Sequence, residues 1–289
     1  MVETSETSVT DVQHPKSSVT DVQHPFNFAP PGPKTTTFAC ASVARPPKSR
    51  RSPRGTSLAS APPVARIPRR LLVELNSTNH CTWRSHNSTH VFELDTAKQF
   101  FLDLIKKYAG RYGIQVRSYC LMGTHPHLVV VATKGQAAFS RFWQVINHLF
   151  ARWYNRQQKS RRGQVVTQRM KSPLIQPGAH GRHVLTVMRY GDLNPVRAGM
   201  VRSPKDYKWS SYLHYAFGKP DPLIEDEPEY LALGRTSAKR QLAYQHLFAA
   251  PLTSGLRTRR PDIVESSFYG DPGWIERHAP RAAGPPRWR

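Results

Sequence analysis

Between Asp95 and Trp153 the apolar residues keep helical spacing, change to two short strand-like runs, and then return to helical spacing. Ala97, Phe101, Leu104, Ile105 and Tyr108 recur at helical intervals after Asp95, which reads as an N-cap, and Gly110 and Gly113 close the pattern. Gln115–Met122 and Leu128–Ala132 read as strands around Gly123–His127. Phe139, Trp143, Ile146, Phe150 and Trp153 then line one face of a second helix. Upstream, Leu71–Leu75 reads as a strand that Asn79–Arg84 continues or pairs with. Strand, helix, strand, strand, helix is the order of a split βαβ unit. The expected class is α+β, with a ferredoxin-like core and an antiparallel sheet carrying both helices on one face.

The charge is not spread evenly over the 289 residues. Net charge is +23, and Leu104 through Gly191 holds 15 Lys and Arg with no Asp or Glu. A solubilising surface mixes both signs, so a stretch of one sign predicts a polyanionic partner, with nucleic acid ahead of lipid head groups. No apolar run is long enough to span a bilayer, and the opening MVETSETSVT lacks the order of a secretory signal, so a cytoplasmic location without membrane contact is expected. Cys40, Cys81 and Cys120 lie far apart with no CxxC spacing, which argues against a disulfide framework or a thiolate zinc site.

Residues 1–65 are rich in Ser, Thr and Pro and repeat SVTDVQHP at Ser8–Pro15 and Ser18–Pro25. Such composition buries too little apolar surface to offset the entropy of ordering, and predicts a disordered basic arm. Residues 66–215 are expected to form the principal domain, 216–250 a helical extension, and 251–289 a Pro- and Arg-rich extended tail.

Two residue groups stand out chemically. His125-Pro126-His127 begins a strand, where positions i and i+2 point to the same side, so both imidazoles can address one point. A divalent metal or a chance pairing among 13 histidines are both open on this pattern alone. HVLTVMRYGDLNP (His183–Pro195) is helical in pattern up to Asn194 and is expected to stop at the proline. Tyr190 and Asn194, four apart, share a helical face: the amide oxygen can complete a metal site, and the phenol can act as a nucleophile. His80 and His86, near the first strand, read as structural residues or DNA contacts.

The strings RYGIQVRSYCLMGTHPHLVVV (Arg111–Val131), RWYNRQ (Arg152–Gln157), RYGDLNPVRAGMV (Arg189–Val201) and KDYKWSSY (Lys205–Tyr212), in this order, resemble the REP-associated tyrosine transposases. These are single-tyrosine transposases of the HUH endonuclease superfamily, and the resemblance runs from about Arg66 to Ala250. It implies a ferredoxin-like core that cuts single-stranded DNA beside palindromic hairpins, with Mg2+ or Mn2+ as cofactor. His125 and His127 match the paired metal ligands, Asn194 the third ligand, and Tyr190 the nucleophile that forms a 5′-phosphotyrosine link. Two departures accompany it: Gly123-Thr124 before the first histidine, and Gly191-Asp192 after the tyrosine, the latter bringing a negative charge toward the expected phosphate site.

The expected activity is therefore DNA nicking and strand transfer, with a catalytically silent hairpin-binding protein as the alternative. Arg117, Arg141, Arg152, Arg156, Arg161, Arg162, Arg169 and Lys171 are candidates for the DNA backbone groove. A homodimer and a monomer are both compatible with the resemblance.

Overall fold

The computed structural model describes residues 67–158, 163–167, 169–178, 182–249 and 260–279. The arm expected over 1–65 lies outside them, as do Arg161 and Arg162. Strands β1 (Ser77–Thr82), β2 (Ile114–Met122), β3 (His125–Ala132), β4 (Leu174–Ile175) and β5 (Phe268–Tyr269) form one sheet in the order β2-β3-β1-β4-β5. The β2–β3, β3–β1 and β1–β4 pairs are antiparallel, and β4–β5 is parallel. The first strand falls later than expected. Leu71 closes a 3-10 turn from Arg69 and Leu72–Asn76 connects it to β1, because Asn79 draws the chain in by donating its side-chain amide to the Leu72 carbonyl at 2.7 Å.

Helix α1 (Asp95–Tyr112) precedes β2, and α2 (Gly135–Gln157) follows β3. Asp95 is the first residue of α1 rather than its cap; its carboxylate accepts from Lys98 and Trp209 and pairs with Lys208. Gly113 ends α1 in the left-handed region at φ 63°, and a Cβ there would stand 2.6 Å from Thr133 Oγ1, so only glycine lets this turn pack against the end of β3. The strand period of two then divides β3. Leu128, Val130 and Ala132 join Phe101, Ile105, Trp143 and Phe150 in the core beneath α1 and α2. Val129 belongs to a separate cluster with Val184, Val187 and Met188 of α3 (His183–Arg197). The α+β class and the two helices on one face are as the periodicity predicts, and α3 adds a layer on the opposite face.

The sheet, expected to be antiparallel throughout, is mixed because β5 joins β4 in parallel, and two further elements depart from the sequence reading. Helix α3 runs through Pro195 to Arg197 instead of stopping at Asn194. Proline removes a single donor, and the Arg197 guanidinium donates to the Tyr190 carbonyl at 2.9 Å across the disturbed turn. Beyond α4 (Tyr212–Phe217), α5 (Pro228–Leu231) and α6 (Ser237–His246), the segment expected to be an extended tail folds over 260–279 into α7 (Pro261–Val264), β5 and α8 (Pro272–His278). Phe268 enters the main core, and Ile263 and Val264 enter the α3 cluster. Among the described residues no helix is long and apolar enough to cross a membrane.

Candidate active site

The same strand alternation that sends Leu128 and Val130 into the α1–α2 core turns His125 and His127 toward α3. Their ring centres lie 4.8 Å apart. Thr82 of β1 pairs with His127, which puts the end of β1 beside the histidines. From Thr82 onward, residues 165–167 and 169–171 run alongside: Thr82 and Lys171 exchange backbone hydrogen bonds of 3.2 and 2.8 Å, and the Thr167 amide donates to the Arg84 carbonyl. Arg69, buried against Phe139, holds this segment by donating to the Met170 carbonyl at 2.8 Å. Helix α3 crosses above and brings Tyr190 to 5.7 Å from His127, centre to centre.

A cavity of about 470 Å3 results. His125, His127, Tyr190 and Asn194 all line it, so the four residues singled out in the sequence meet in one chain. Around them stand Arg84, Arg169, Lys171 and Arg197, with Thr82 and Thr167. Among the described residues none of the lining groups is a carboxylate, so the field in the cavity is positive and suits a phosphate. Asp192, expected near the phosphate site, is instead buried, where its carboxylate accepts from Tyr244 at 2.8 Å. Burial raises its pKa to about 8, which leaves it mostly protonated at neutral pH.

The donor set fits a divalent cation. His127 Nε2 is buried and has no hydrogen-bond partner among the described residues, an arrangement that costs stability unless something binds it. Burial, followed by the charges of His125 and His80, holds the His127 pKa well below the usual histidine range and keeps the imidazole neutral, as a ligand must be. Asn194 Oδ1 accepts from Arg197 at 3.4 Å and retains a second lone pair. Among the described residues no group of three His, Cys, Asp or Glu is arranged to hold a metal ion, so a site built on His125 and His127 needs a donor of another kind, and the Asn194 amide lines the same cavity. Arg197 lies 4.5 Å from the Tyr190 ring centre, over its face.

The basic candidates separate by position. Arg169 and Lys171 line the cavity. Arg141, Arg152 and Arg156 are on α2, and Arg141 donates to Gln144 on the same helix. Arg117 on β2 does not line the cavity; it donates to the Glu225 and Asp226 carbonyls at 3.2 and 2.7 Å and pairs with buried Glu227. Arg84 and Arg197 are cavity residues that sequence reasoning did not single out. Arg84 stands two residues past the end of β1, and Arg197 sits one turn past Asn194, so continuation of the strand and of the helix were the available signals. His80, for which a structural role is the better sequence reading, is buried with its Nε2 2.9 Å from His127 Nδ1.

Residues 74–171 match the sequence model of the IS200-like transposase family. The match takes in His125, His127, Arg169 and Lys171 and ends before Tyr190. Among solved structures, the chain is similar to a REP-associated tyrosine transposase bound to a REP hairpin, at 18% identity and a TM-score of 0.42, covering 53% of this chain and 88% of that one. No curated protein matches.

Proposed function

We propose that the protein nicks and rejoins single-stranded, hairpin-bearing DNA through a 5′-phosphotyrosine intermediate, as a tyrosine transposase or a relative derived from one. The observation that carries this reading is the convergence of Tyr190, His125, His127 and Asn194 on one carboxylate-free, basic cavity. Arg84, Arg169 and Lys171 bind the DNA backbone and fix the strand. Tyr190 attacks the phosphorus and loses its phenolic proton; the bond to the 3′ oxygen breaks, and that oxygen takes up a proton to leave as a 3′-hydroxyl. The phosphodiester energy stays in the tyrosine ester, so attack by a second 3′-hydroxyl rejoins DNA without a nucleotide triphosphate. Arg197 over the Tyr190 ring favours the ionised phenol, whose unperturbed pKa near 10 otherwise disfavours it. His125, His127 and Asn194 would hold Mg2+ or Mn2+, which when bound supplies Lewis-acid polarisation of the scissile phosphate.

The test is incubation with hairpin-bearing single-stranded DNA and Mn2+, followed by denaturing electrophoresis. A denaturation-resistant adduct that Tyr190→Phe abolishes supports the proposal. Hairpin binding with no adduct leaves the silent binding reading, and nicking that survives in Tyr190→Phe replaces it with hydrolysis.

A further inference from the structure

His80 takes no part in the chemistry above, yet it is buried to 1% exposure against His127. Its two ring nitrogens face two different partners. Nδ1 lies 3.3 Å from the carbonyl oxygen of Ile263 in α7, and Nε2 lies 2.9 Å from His127 Nδ1. The two imidazole planes differ by only 9° with ring centres 5.2 Å apart, an arrangement compatible with an N–H···N bond in the plane of both rings.

The protons can be assigned from the end of this chain. A carbonyl oxygen only accepts, so His80 Nδ1 carries the hydrogen. In a neutral ring Nε2 is then a bare lone pair, and the hydrogen in the 2.9 Å contact belongs to His127 Nδ1. His127 Nε2 is thereby left without a proton, and it is this atom that is buried without a partner among the described residues. The opposite assignment sets a lone pair of His80 against the Ile263 carbonyl and places a hydrogen on His127 Nε2, where it blocks ligation.

We propose that His80 is a positioning residue that locks His127 in its Nδ1–H tautomer, with its own tautomer fixed by the Ile263 carbonyl. The consequence for metal affinity rests on the function proposed above; the tautomer does not. A segment far along the chain, outside the residues that match the transposase family, thus sets the proton positions on a ligand of the candidate metal site. Partners that orient a ligating imidazole in this way contribute to affinity although they never touch the metal.

The experiment uses the full chain labelled with 15N. Two-bond 1H–15N spectra of the metal-free wild type are expected to show His80 and His127 each protonated at Nδ1 and bare at Nε2. A hydrogen on His127 Nε2 overturns the proposal. Calorimetric titration with Mn2+ alone then compares His80→Gln, whose side-chain oxygen still accepts from His127 Nδ1, with His80→Leu, which cannot accept. Expected is near wild-type affinity for Gln and a loss of about 10- to 100-fold for Leu, together with a shift of His127 toward Nε2–H. Equal Mn2+ affinity in wild type and His80→Leu refutes the positioning role. A wild type with no Mn2+ affinity instead sinks the metal-site reading, while the tautomer spectrum still decides the role of His80. Should the Leu variant fail to fold, the wild-type and Gln spectra decide alone.

Discussion

Gly191 lies where α3 crosses β3, one residue after the proposed nucleophile, and a Cβ added there would stand 3.9 Å from the His127 Cβ. That is ordinary van der Waals contact, so Gly191→Ala is expected to add a methyl group without displacing the helix. Removing a glycine from a helix interior stabilises by ~0.5–1 kcal/mol. Burying the new methyl contributes up to about 0.8 kcal/mol more, so a net gain of ~1 kcal/mol is a conservative expectation. A leucine meets different conditions. The gap that Gly191 shares with His127, Val129 and Asp192 is about 10 Å3. This is at the lower limit for one water and leaves no room for a branched side chain. Overpacking of this kind costs ~1–3 kcal/mol. It also lifts α3 from the sheet, increasing the 5.7 Å separation between the Tyr190 and His127 rings. Urea unfolding should therefore rank Ala above wild type and Leu below it. In the covalent-adduct assay Ala should retain activity, while Leu should lose more than its fraction of unfolded protein explains. An Ala variant destabilised by more than about 1 kcal/mol, or a Leu variant unchanged in both assays, would refute the account of how α3 docks.

Four further outcomes are expected. Tyr190→Phe should abolish the adduct yet alter unfolding free energy by no more than ~1 kcal/mol, since it removes one hydroxyl. Arg84→Ala and Arg169→Ala should each weaken single-stranded DNA binding and reduce the slope of log affinity against log salt by about 0.7, measured by fluorescence anisotropy over a salt series. Arg117→Ala should leave that slope unchanged and instead cost about 2–4 kcal/mol in denaturant unfolding, because it strips donors from two carbonyls and isolates buried Glu227. Phe268→Ala should cost about 3–5 kcal/mol in the same measurement, since the ring is buried in the main core; a negligible effect would show that the 260–279 segment does not contribute to the fold.

What the sequence revealed and what it concealed follow from the range of the interactions involved. His125 with His127, and Tyr190 with Asn194, were readable as pairs because each pair lies within one regular element, where a period of two or a step of four fixes a shared face. The α1, β2, β3 and α2 elements carry enough apolar repeats to announce themselves. By contrast, β4 and β5 have two residues each, too few to show any period, and they exist because β1 offers an edge and Phe268 a core contact. The basic residues make the sharpest case. Arg117 and Arg169 belong to the same acid-free stretch and are chemically identical, yet one is consumed by the carbonyls of residues 225 and 226 while the other lines the cavity. The pairing of Thr82 with Lys171 and the bond from Arg69 to the Met170 carbonyl bring Arg169 there, and these contacts span separations no local pattern encodes. Composition therefore identifies the stretch that attracts a polyanion, whereas strand register selects the side chains that meet it. For the same reason His80, a single histidine with no partner nearby in sequence, acquires its role only when β1 pairs with β3 and the Ile263 carbonyl of α7 meets its ring.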